Sequence, residues 1–423
     1  MLDRTRPPHV YPIEGLRLPE VEKEVFPNNT ELYEINGGSQ DVNQLMLIFD
    51  GGKADCRVGV TAQLAAELMR EGAGERTGGE MAEIFDFNGA ILRISANGHH
   101  MIVSLLSMND RTSQVLPLLK DILNAPAFKE SDFINLRDKA SRQMSLMQSR
   151  VDFLSGIGLN RLMMGAGNPM VGDDSPSDIL TISLDDVKRF HSDVFVGRRC
   201  RAILAGKLSP ELRTTIRQFL MEWGGGTSFM SRYEPFDAAS PQIIRESLKG
   251  AMQASVSMGL PGPGRNTPDF LPVRNAVTAL GGYFGSRLMT SIREEKGLTY
   301  GIGAYLLGYA EGSIITIGAQ ADMDYIDRVI DETAKELRLL GTEPMAEEEL
   351  HRLRQNLLSS LVEILDSPFS IADFYKSILP FGIDPCKYFA QRAALAETLT
   401  TDSILEYSHK YFNPDLLRIS VVG

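Results

Sequence analysis

The chain repeats itself at a fixed distance. Ser183-Leu184-Asp185-Asp186-Val187-Lys188-Arg189-Phe190 leads through His191 to Phe195, and then to an apolar run from Arg201 to Gly206. Thr400-Thr401-Asp402-Ser403-Ile404-Leu405-Glu406-Tyr407 leads in the same way to Phe412, and then to the run from Arg418 to Gly423. Phe195 recurs as Phe412, Arg201 as Arg418 and Gly206 as Gly423, each 217 residues on. A hydroxyl cap opens a helix, and the helix feeds an apolar strand, twice at one spacing. That pattern calls for two copies of one folding unit, each about half the chain.

The seam between the copies is legible too. Met221-Glu222-Trp223 gives way to Gly224-Gly225-Gly226-Thr227-Ser228, with Pro235 and Pro241 beyond, which reads as an exposed linker. This sets a first domain at 1–222, a linker at 223–245 and a second domain at 246–423. In the first, strand patterns at 31–36, 44–49, 91–96 and 101–107 are interleaved with helical patterns at 60–71, 79–88, 112–124, 130–149 and 152–165. The strands at 31–36 and 44–49 are expected to pair. In the second, strand patterns at 253–260 and 299–322 accompany helices near 267–280, 285–295, 325–340, 345–365 and 386–396. The fold class is therefore α+β: two homologous domains, each a mainly antiparallel sheet covered by helices on one face.

Charge narrows the function. There are 43 Lys and Arg against 55 Asp and Glu, a formal net charge of −12. Nucleic-acid binding needs the opposite excess and is not expected. No run of about 18 apolar residues occurs, so no membrane span is expected. The first residues carry no apolar run behind their charges, and Cys56, Cys200 and Cys386 are odd in number and widely spaced. Both features point to reduced thiols and a cytoplasmic protein.

The richest local stretch is Ser291-Ile292-Arg293-Glu294-Glu295-Lys296-Gly297-Leu298-Thr299-Tyr300, preceded by Leu280-Gly281-Gly282-Tyr283-Phe284-Gly285-Ser286-Arg287-Leu288. It reads as a helix that ends at Gly297, where a left-handed residue is needed, and opens into a strand. Arg293 in the last turn and Tyr300 at the strand start can face one cleft. A fixed cation beside a phenol donor suits a peptide carbonyl or a developing oxyanion. Composition alone favours a plainer reading, in which Arg293 pairs with Glu294 or Glu295 on a solvated face and Tyr300 fills a core. Other motifs carry less. His99 and His100 are neighbours at a strand start, point to opposite faces and cannot share a metal. Gly72–Gly79 and Pro261–Arg265 lack the context of a nucleotide loop and read as connections. Glu347 and His351 belong to a solvated helix face.

Taken whole, this stretch resembles the second-domain signature of the pitrilysin/insulinase/mitochondrial processing peptidase family of zinc peptidases. Pro261-Gly262-Pro263, a helix, the Gly-Gly pair, Ser286-Arg287-Leu288 and Arg293-x6-Tyr300 stand in the family's order. Leu2-Asp3-Arg4 and Asn168-Pro169-Met170-Val171-Gly172 add to the likeness. The resemblance implies that Arg293 and Tyr300 contact substrate and act in catalysis.

The same resemblance exposes a loss. The family binds zinc through His-x-x-Glu-His on a first-domain helix. Counted back from Gly72, those five positions are Gln63, Leu64, Ala65, Ala66 and Glu67. Both histidines (Gln63 and Glu67 stand there) and the catalytic glutamate (Ala66) are gone, and Gln143 lies where the distal glutamate ligand is expected. The resemblance therefore implies a chain without a metal or other cofactor of its own. It implies a partner: a zinc-bearing sister subunit that closes with this chain around a peptide-binding chamber. Alone, the chain is expected to be inactive and able to form a homodimer. The rival is a scaffold like the core subunits of respiratory complexes. A homodimeric peptidase with an unrecognised metal site is a third reading.

Overall fold

The computed structural model describes residues 13, 15–195, 200–222, 229–231, 233–238 and 242–423. The Leu2-Asp3-Arg4 motif and the glycine run at 224–228 lie outside these residues. The first half of the sequence supplies strands β1 (Glu22–Val25), β2 (Glu31–Asn36), β3 (Val42–Asp50), a two-residue hairpin β4 (Gly72–Ala73) and β5 (Arg76–Thr77), β6 (Ile91–Ala96), β7 (His100–Met108) and β8 (Arg201–Gly206). Its helices are α1 (Val60–Leu68), α2 (Gly78–Phe87), α3 (Thr112–Asn124), α4 (Glu130–Met147), α5 (Val151–Met164), α6 (Pro176–Leu180), α7 (Leu184–Val194) and α8 (Pro210–Glu222). The second half supplies β9 (Ile243–Glu246), β10 (Ala254–Gly262), β11 (Gly301–Gly308), β12 (Ser313–Ala321) and β13 (Arg418–Val422). Its helices are α9 (Phe270–Gly281), α10 (Ile326–Thr342), α11 (Glu347–Leu365), α12 (Pro368–Ile378), α13 (Pro385–Glu397) and α14 (Thr401–Tyr411).

The repeat is structural. One sheet runs β1-β2-β8-β3-β7-β6 and the other β9-β13-β10-β12-β11. With β1 set aside, the two orders match strand for strand. In each, the first pair is parallel (β2 with β8, β9 with β13) and the rest are antiparallel. The repeated Arg-to-Gly run is β8 in one and β13 in the other. The helices that feed them open alike: Ser183 caps Asp186 and Thr400 caps Ser403 through their hydroxyls.

The expected pairing of 31–36 with 44–49 does not occur, because β8 lies between β2 and β3. The link at 37–41 instead crosses the end of β8, where the Gly37 amide donates to the Gly206 carbonyl at 2.9 Å. A Cβ on Gly206 would meet the Val42 carbonyl oxygen at 2.3 Å, and its φ of +130° suits glycine alone. Gly423 stands at the same crossing in the second copy, with the Leu248 amide donating to its carbonyl. β9, which begins inside the expected linker and ends at the first residue of the expected second domain, joins the second sheet.

Each sheet's own helices cover one face. On the first, Leu45, Leu47, Val103, Leu105 and Leu204 pack on Leu64, Val115 and Val187; on the second, Val256, Met258, Ile315 and Ile317 pack on Val277, Val329 and Leu337. The expectation omitted a further layer, exchanged between the halves. Helix α12, with Ile371, Phe374 and Tyr375, covers Tyr33, Ile35, Met46 and Ile203 on the back of the first sheet. Helix α5 lies on the back of the second. Its Ser155 hydroxyl sits 2.9 Å from that of Ser255 and 3.0 Å from that of Ser257. The hairpin turns also meet, with His99 Nε2 2.5 Å from Glu311 Oε1, both buried, and the Tyr233 ring against His99.

Contact between α5 and β13 is set by Gly158, whose Cβ would fall 2.2 Å from Ser420 Oγ, whereas a Cβ on Gly156 meets nothing within 4 Å. Gly158→Val should lower unfolding free energy by about 1–3 kcal/mol through forced separation. Gly156→Ala should raise it by up to about 1 kcal/mol through helix propensity. Urea midpoints of the two variants check the contrast. A second expectation concerns His191, whose Nε2–H donates to the Leu123 carbonyl at 2.9 Å and whose ring stacks on Phe195. Burial pushes its pKa down to about 4. The unfolded chain then binds the proton first as pH falls, so stability is intact above about 6.5 and is lost between about 6.5 and about 4, on the order of 3 kcal/mol. Removing the imidazole with His191→Gln should flatten that part of a stability–pH profile.

Candidate functional site

Arg293 does not sit in an α-helix. Residues Met289–Glu295 form a π-helical turn, with an i→i+5 pattern that takes one extra residue per turn. Sequence periodicity does not separate this from the expected helix at 285–295. The turn is anchored on all sides. Leu288, Ile292 and Leu298 are buried beneath it. Arg287 forms a bidentate pair with Glu349 of α11 at 2.9 and 3.2 Å. Lys296 donates to the Ser291 hydroxyl at 2.6 Å and lies 3.4 Å from Glu332 of α10. Gly297 then takes the left-handed conformation expected of it (φ +61°), and the Leu298 amide donates back to Ile292. The Thr299 hydroxyl donates to the Gln320 carbonyl of β12 and accepts from the Gly301 amide at 3.2 Å. Tyr300 is thus held at the start of β11 from both sides.

The geometry brings Arg293 and Tyr300 together. The guanidinium lies 5.5 Å from the Tyr300 ring centroid and 4.9 Å from that of Phe284. Two aromatic faces flank one cation, each contact worth about 0.5–1 kcal/mol at an exposed site. Neither Glu294 nor Glu295 pairs with Arg293, which has no ion pair among the described residues. Tyr300 is 91% exposed, so it fills no core and its phenol is open to a ligand. Sequence pattern alone does not mark Phe284 as a site residue, although it stands in the Gly-Gly-Tyr-Phe-Gly run. The bare composition of that run says turn, and only the fold carries the ring to Arg293.

Beyond Tyr300 the back of β11 and β12 is open at the near end, while at the far end Ile314 is buried against Leu159 and Met163 of α5. A Cβ at Gly301 or Gly318 would touch nothing within 4 Å, and the exposed Tyr305 ring lies along Gly303. Beside it is a cleft of about 430 Å³, between Ser149–Asp152 and residues 248–253, with Gln320 at its wall. A separate cavity of about 540 Å³ shares none of these residues. It lies near β1, β2 and the start of α13, and contains the Asp50–Arg201 ion pair. Burial pushes the Asp50 carboxyl up, but the His100 ring 3.5 Å away and the Arg201 guanidinium outweigh it and hold it below its usual range.

At the other candidate position, helix α1 presents Gln63 and Glu67 one turn apart, the amide donating to the carboxylate at 3.0 Å. Ala66 is buried between them. Gln143 is exposed and makes no hydrogen bond to α1. Lys139, one turn earlier on α4, reaches Glu67 instead, with its ammonium 3.8 Å from Oε2. One carboxylate, one neutral amide and a cation already in place do not fit zinc, which needs three or four His, Cys or carboxylate donors. Among the described residues no group of three or more His, Cys, Asp or Glu could hold a metal ion. His99 and His100 turn to separate partners, Glu311 and Asp50. No helix of the described residues is long and apolar enough to cross a membrane.

Residues 181–357 match the family model described as the peptidase M16 inactive domain. A non-peptidase homolog, YmxG, of Helicobacter pylori is 24% identical over 249 residues, 57% of this chain and 56% of that protein. An uncharacterized zinc protease, YmxG, of Bacillus subtilis is 21% identical over 308 residues, 71% of this chain and 73% of that protein. The chain thus matches just over half the length of the first relative and about three quarters of the second. Among solved structures, a peptidase M16 inactive domain from Pseudomonas fluorescens superposes with a TM-score of 0.87 at 20% identity, over 95% of this chain and 98% of that one. A chain of complex III from Candida albicans gives 0.77 at 14% identity, over 96% of each. At such identities the superpositions speak for the fold alone.

Elemental analysis of the purified chain, after dialysis against zinc and then buffer, should find far less than one zinc per chain. Stoichiometric zinc retained by the unmodified chain but lost in Glu67→Ala would contradict the donor argument.

Proposed function

We propose, from the match of residues 181–357 to the peptidase M16 inactive domain, that the chain is the peptide-holding half of a two-subunit peptidase. A sister subunit with an intact His-x-x-Glu-His helix would supply the zinc, the activated water and the general base. This chain would supply one wall of the chamber together with Arg293 and Tyr300. The observation that carries the reading is the open pairing of those two residues. A guanidinium without a carboxylate partner is held between two rings, beside a phenol that is almost wholly exposed. A scaffold has no use for an unneutralised cation held at that spot by a π-turn, two ion pairs and a threonine clamp.

The roles follow from the chemistry of the groups. Arg293 is a permanent cation with a planar fork of donors, suited to a peptide carbonyl before and during reaction. Its loss should weaken binding and slow turnover together. Tyr300 is a single neutral donor, whose hydrogen bond strengthens as the carbonyl oxygen gains charge. Its loss should act on turnover with little effect on affinity. Lys139 beside Glu67 supports the division of labour, since a cation stands where the sister subunit would hold its metal.

The isolated chain should cleave no peptide. Mixed with a zinc-bearing M16 subunit, it should confer activity. In that complex Tyr300→Phe should lower kcat by roughly 10²-fold with KM little changed. Arg293→Ala should raise KM and lower kcat. Steady-state kinetics on the reconstituted complex decides between this reading and the scaffold. Two variants that pair normally and cleave at the unmodified rate would leave only the scaffold.

A further inference from the structure

Across the back of the first sheet, at the end where β8 begins, charge alternates strand by strand. Lys23 lies on β1, Glu31 on β2, Arg201 on β8 and Asp50 on β3. Pairing puts the four on one face. Glu31 is opposite Arg201, Arg201 is opposite Ile48, and Asp50 follows Ile48 by two residues. Lys23 is opposite Tyr33, which follows Glu31 by two. All four charges line the cavity of about 540 Å³ near the start of α13. Tyr375, Leu379 and Ile383, from the end of α12 and the turn after it, add an apolar wall.

The two middle charges do not pair. Register partners on neighbouring strands stand about 4.8 Å apart, close enough for an ion pair. Among the described residues Glu31 and Arg201 nevertheless make none with each other. Glu31 is held from the β1 side, with Oε1 3.4 Å from the Lys23 ammonium and Oε2 accepting from the Tyr33 hydroxyl at 2.9 Å. Arg201 is held from the β3 side, where it donates to Asp50, itself 3.5 Å from His100 Nε2. That is the one hydrogen bond of the Arg201 side chain among the described residues, and a guanidinium has five N–H groups. The fold does not demand this arrangement. In the second copy Arg418 takes the place of Arg201, but Gln242 stands where Glu31 would and Pro261 where Asp50 would. There the arginine keeps Nε and Nη1 buried without a partner.

We propose that this cavity binds a free α-amino acid with an apolar side chain, its ammonium on Glu31 and its carboxylate on Arg201. The two charged groups of an α-amino acid hang from one carbon. Laid antiparallel to the Glu31–Arg201 dipole, they answer both residues at once, whereas a simple anion or cation would answer one and face the other as a like charge. The free donors of Arg201 suit a carboxylate, which a guanidinium takes bidentately. The Tyr33 and Tyr375 rings, edge to face at 6.0 Å, would take the ligand's side chain, and the Tyr375 hydroxyl is fixed 3.1 Å from Cys386 Sγ. The volume falls within the span of small-molecule sites, about 300–1,000 Å³. The site shares no residue with Arg293 and Tyr300, so it stands or falls separately from the peptidase reading.

Calorimetric titration of the full chain with L-phenylalanine tests it, with N-acetyl-L-phenylalanine and L-phenylalaninamide as the two capped probes. The free amino acid should bind one to one. Each cap removes one charge-assisted contact and should weaken binding by about tenfold or more. Glu31→Gln should abolish the penalty of the acetyl cap, and Arg201→Gln that of the amide cap. Either variant serves if the other does not fold. Arg293→Ala should leave the affinity for phenylalanine unchanged. No saturable binding of phenylalanine, or a capped probe that binds as tightly as the free amino acid, would overturn the site. So would binding that survives in a folded Glu31 or Arg201 variant with both cap penalties intact, or that is lost only in Arg293→Ala.

Discussion

Gly158 allows helix α5 to lie on β13 at a distance no side chain would permit, and the architecture depends on that contact. The helix belongs in sequence to the first copy and in space to the second. Helix α12 returns the exchange, with aromatic packing where α5 uses serines and glycine. Each sheet is therefore finished by the other half. Neither copy buries both faces of its sheet alone, which is why two units from one repeat act as one body.

That closure fixes the candidate site. α5 covers the part of the second sheet around β10 and β13 and the Ile314 end of β12, and leaves the back bare near Gly301 and Gly318. The bare region begins at Tyr300. The π-turn, the Arg287–Glu349 pair, the Lys296 contacts and Thr299 hold Arg293 at its border. The equivalent edge of the first sheet is β6, whose neighbourhood includes α1 with Gln63 and Glu67. One layout thus carries an open cation in one copy, and the Lys139–Glu67 ion pair in the other.

Much of the fold was legible. Helix α3 falls at 112–124 and β6 at 91–96 as their periodicities predict, because an amphipathic face records its own length. The 217-residue repeat gave the equivalence of β8 and β13. What the pattern could not give is partnership. Alternation shows that 31–36 and 44–49 are strands but not that β8 will enter between them. An apolar stripe on 152–165 shows that α5 packs but not on which sheet. Helices α6, α8 and α12 stand outside the expected elements although each opens on a serine followed by a proline, Ser175-Pro176, Ser209-Pro210 and Ser367-Pro368. At the site, Arg293 and Tyr300 were legible because the motif spans one local turn. Phe284 and Lys139 were not, since each reaches its partner only through the folded chain.

The π-turn at Met289–Glu295 makes the position of Arg293 a matter of chain length rather than residue choice. Its surplus residue is strain-prone and is tolerated because the ends are bolted to α10 and α11. Deleting one residue there would heal the turn into an ordinary helix and rotate everything upstream or downstream by about 100°. Arg293 would then swing off Phe284 and Tyr300 without any change in its own identity. A single codon lost or gained would thus connect or disconnect the cation from its phenol. Descendants of this layout could abandon or recover the pair by an indel, leaving the Arg and Tyr letters in place as a misleading record of a site that no longer assembles.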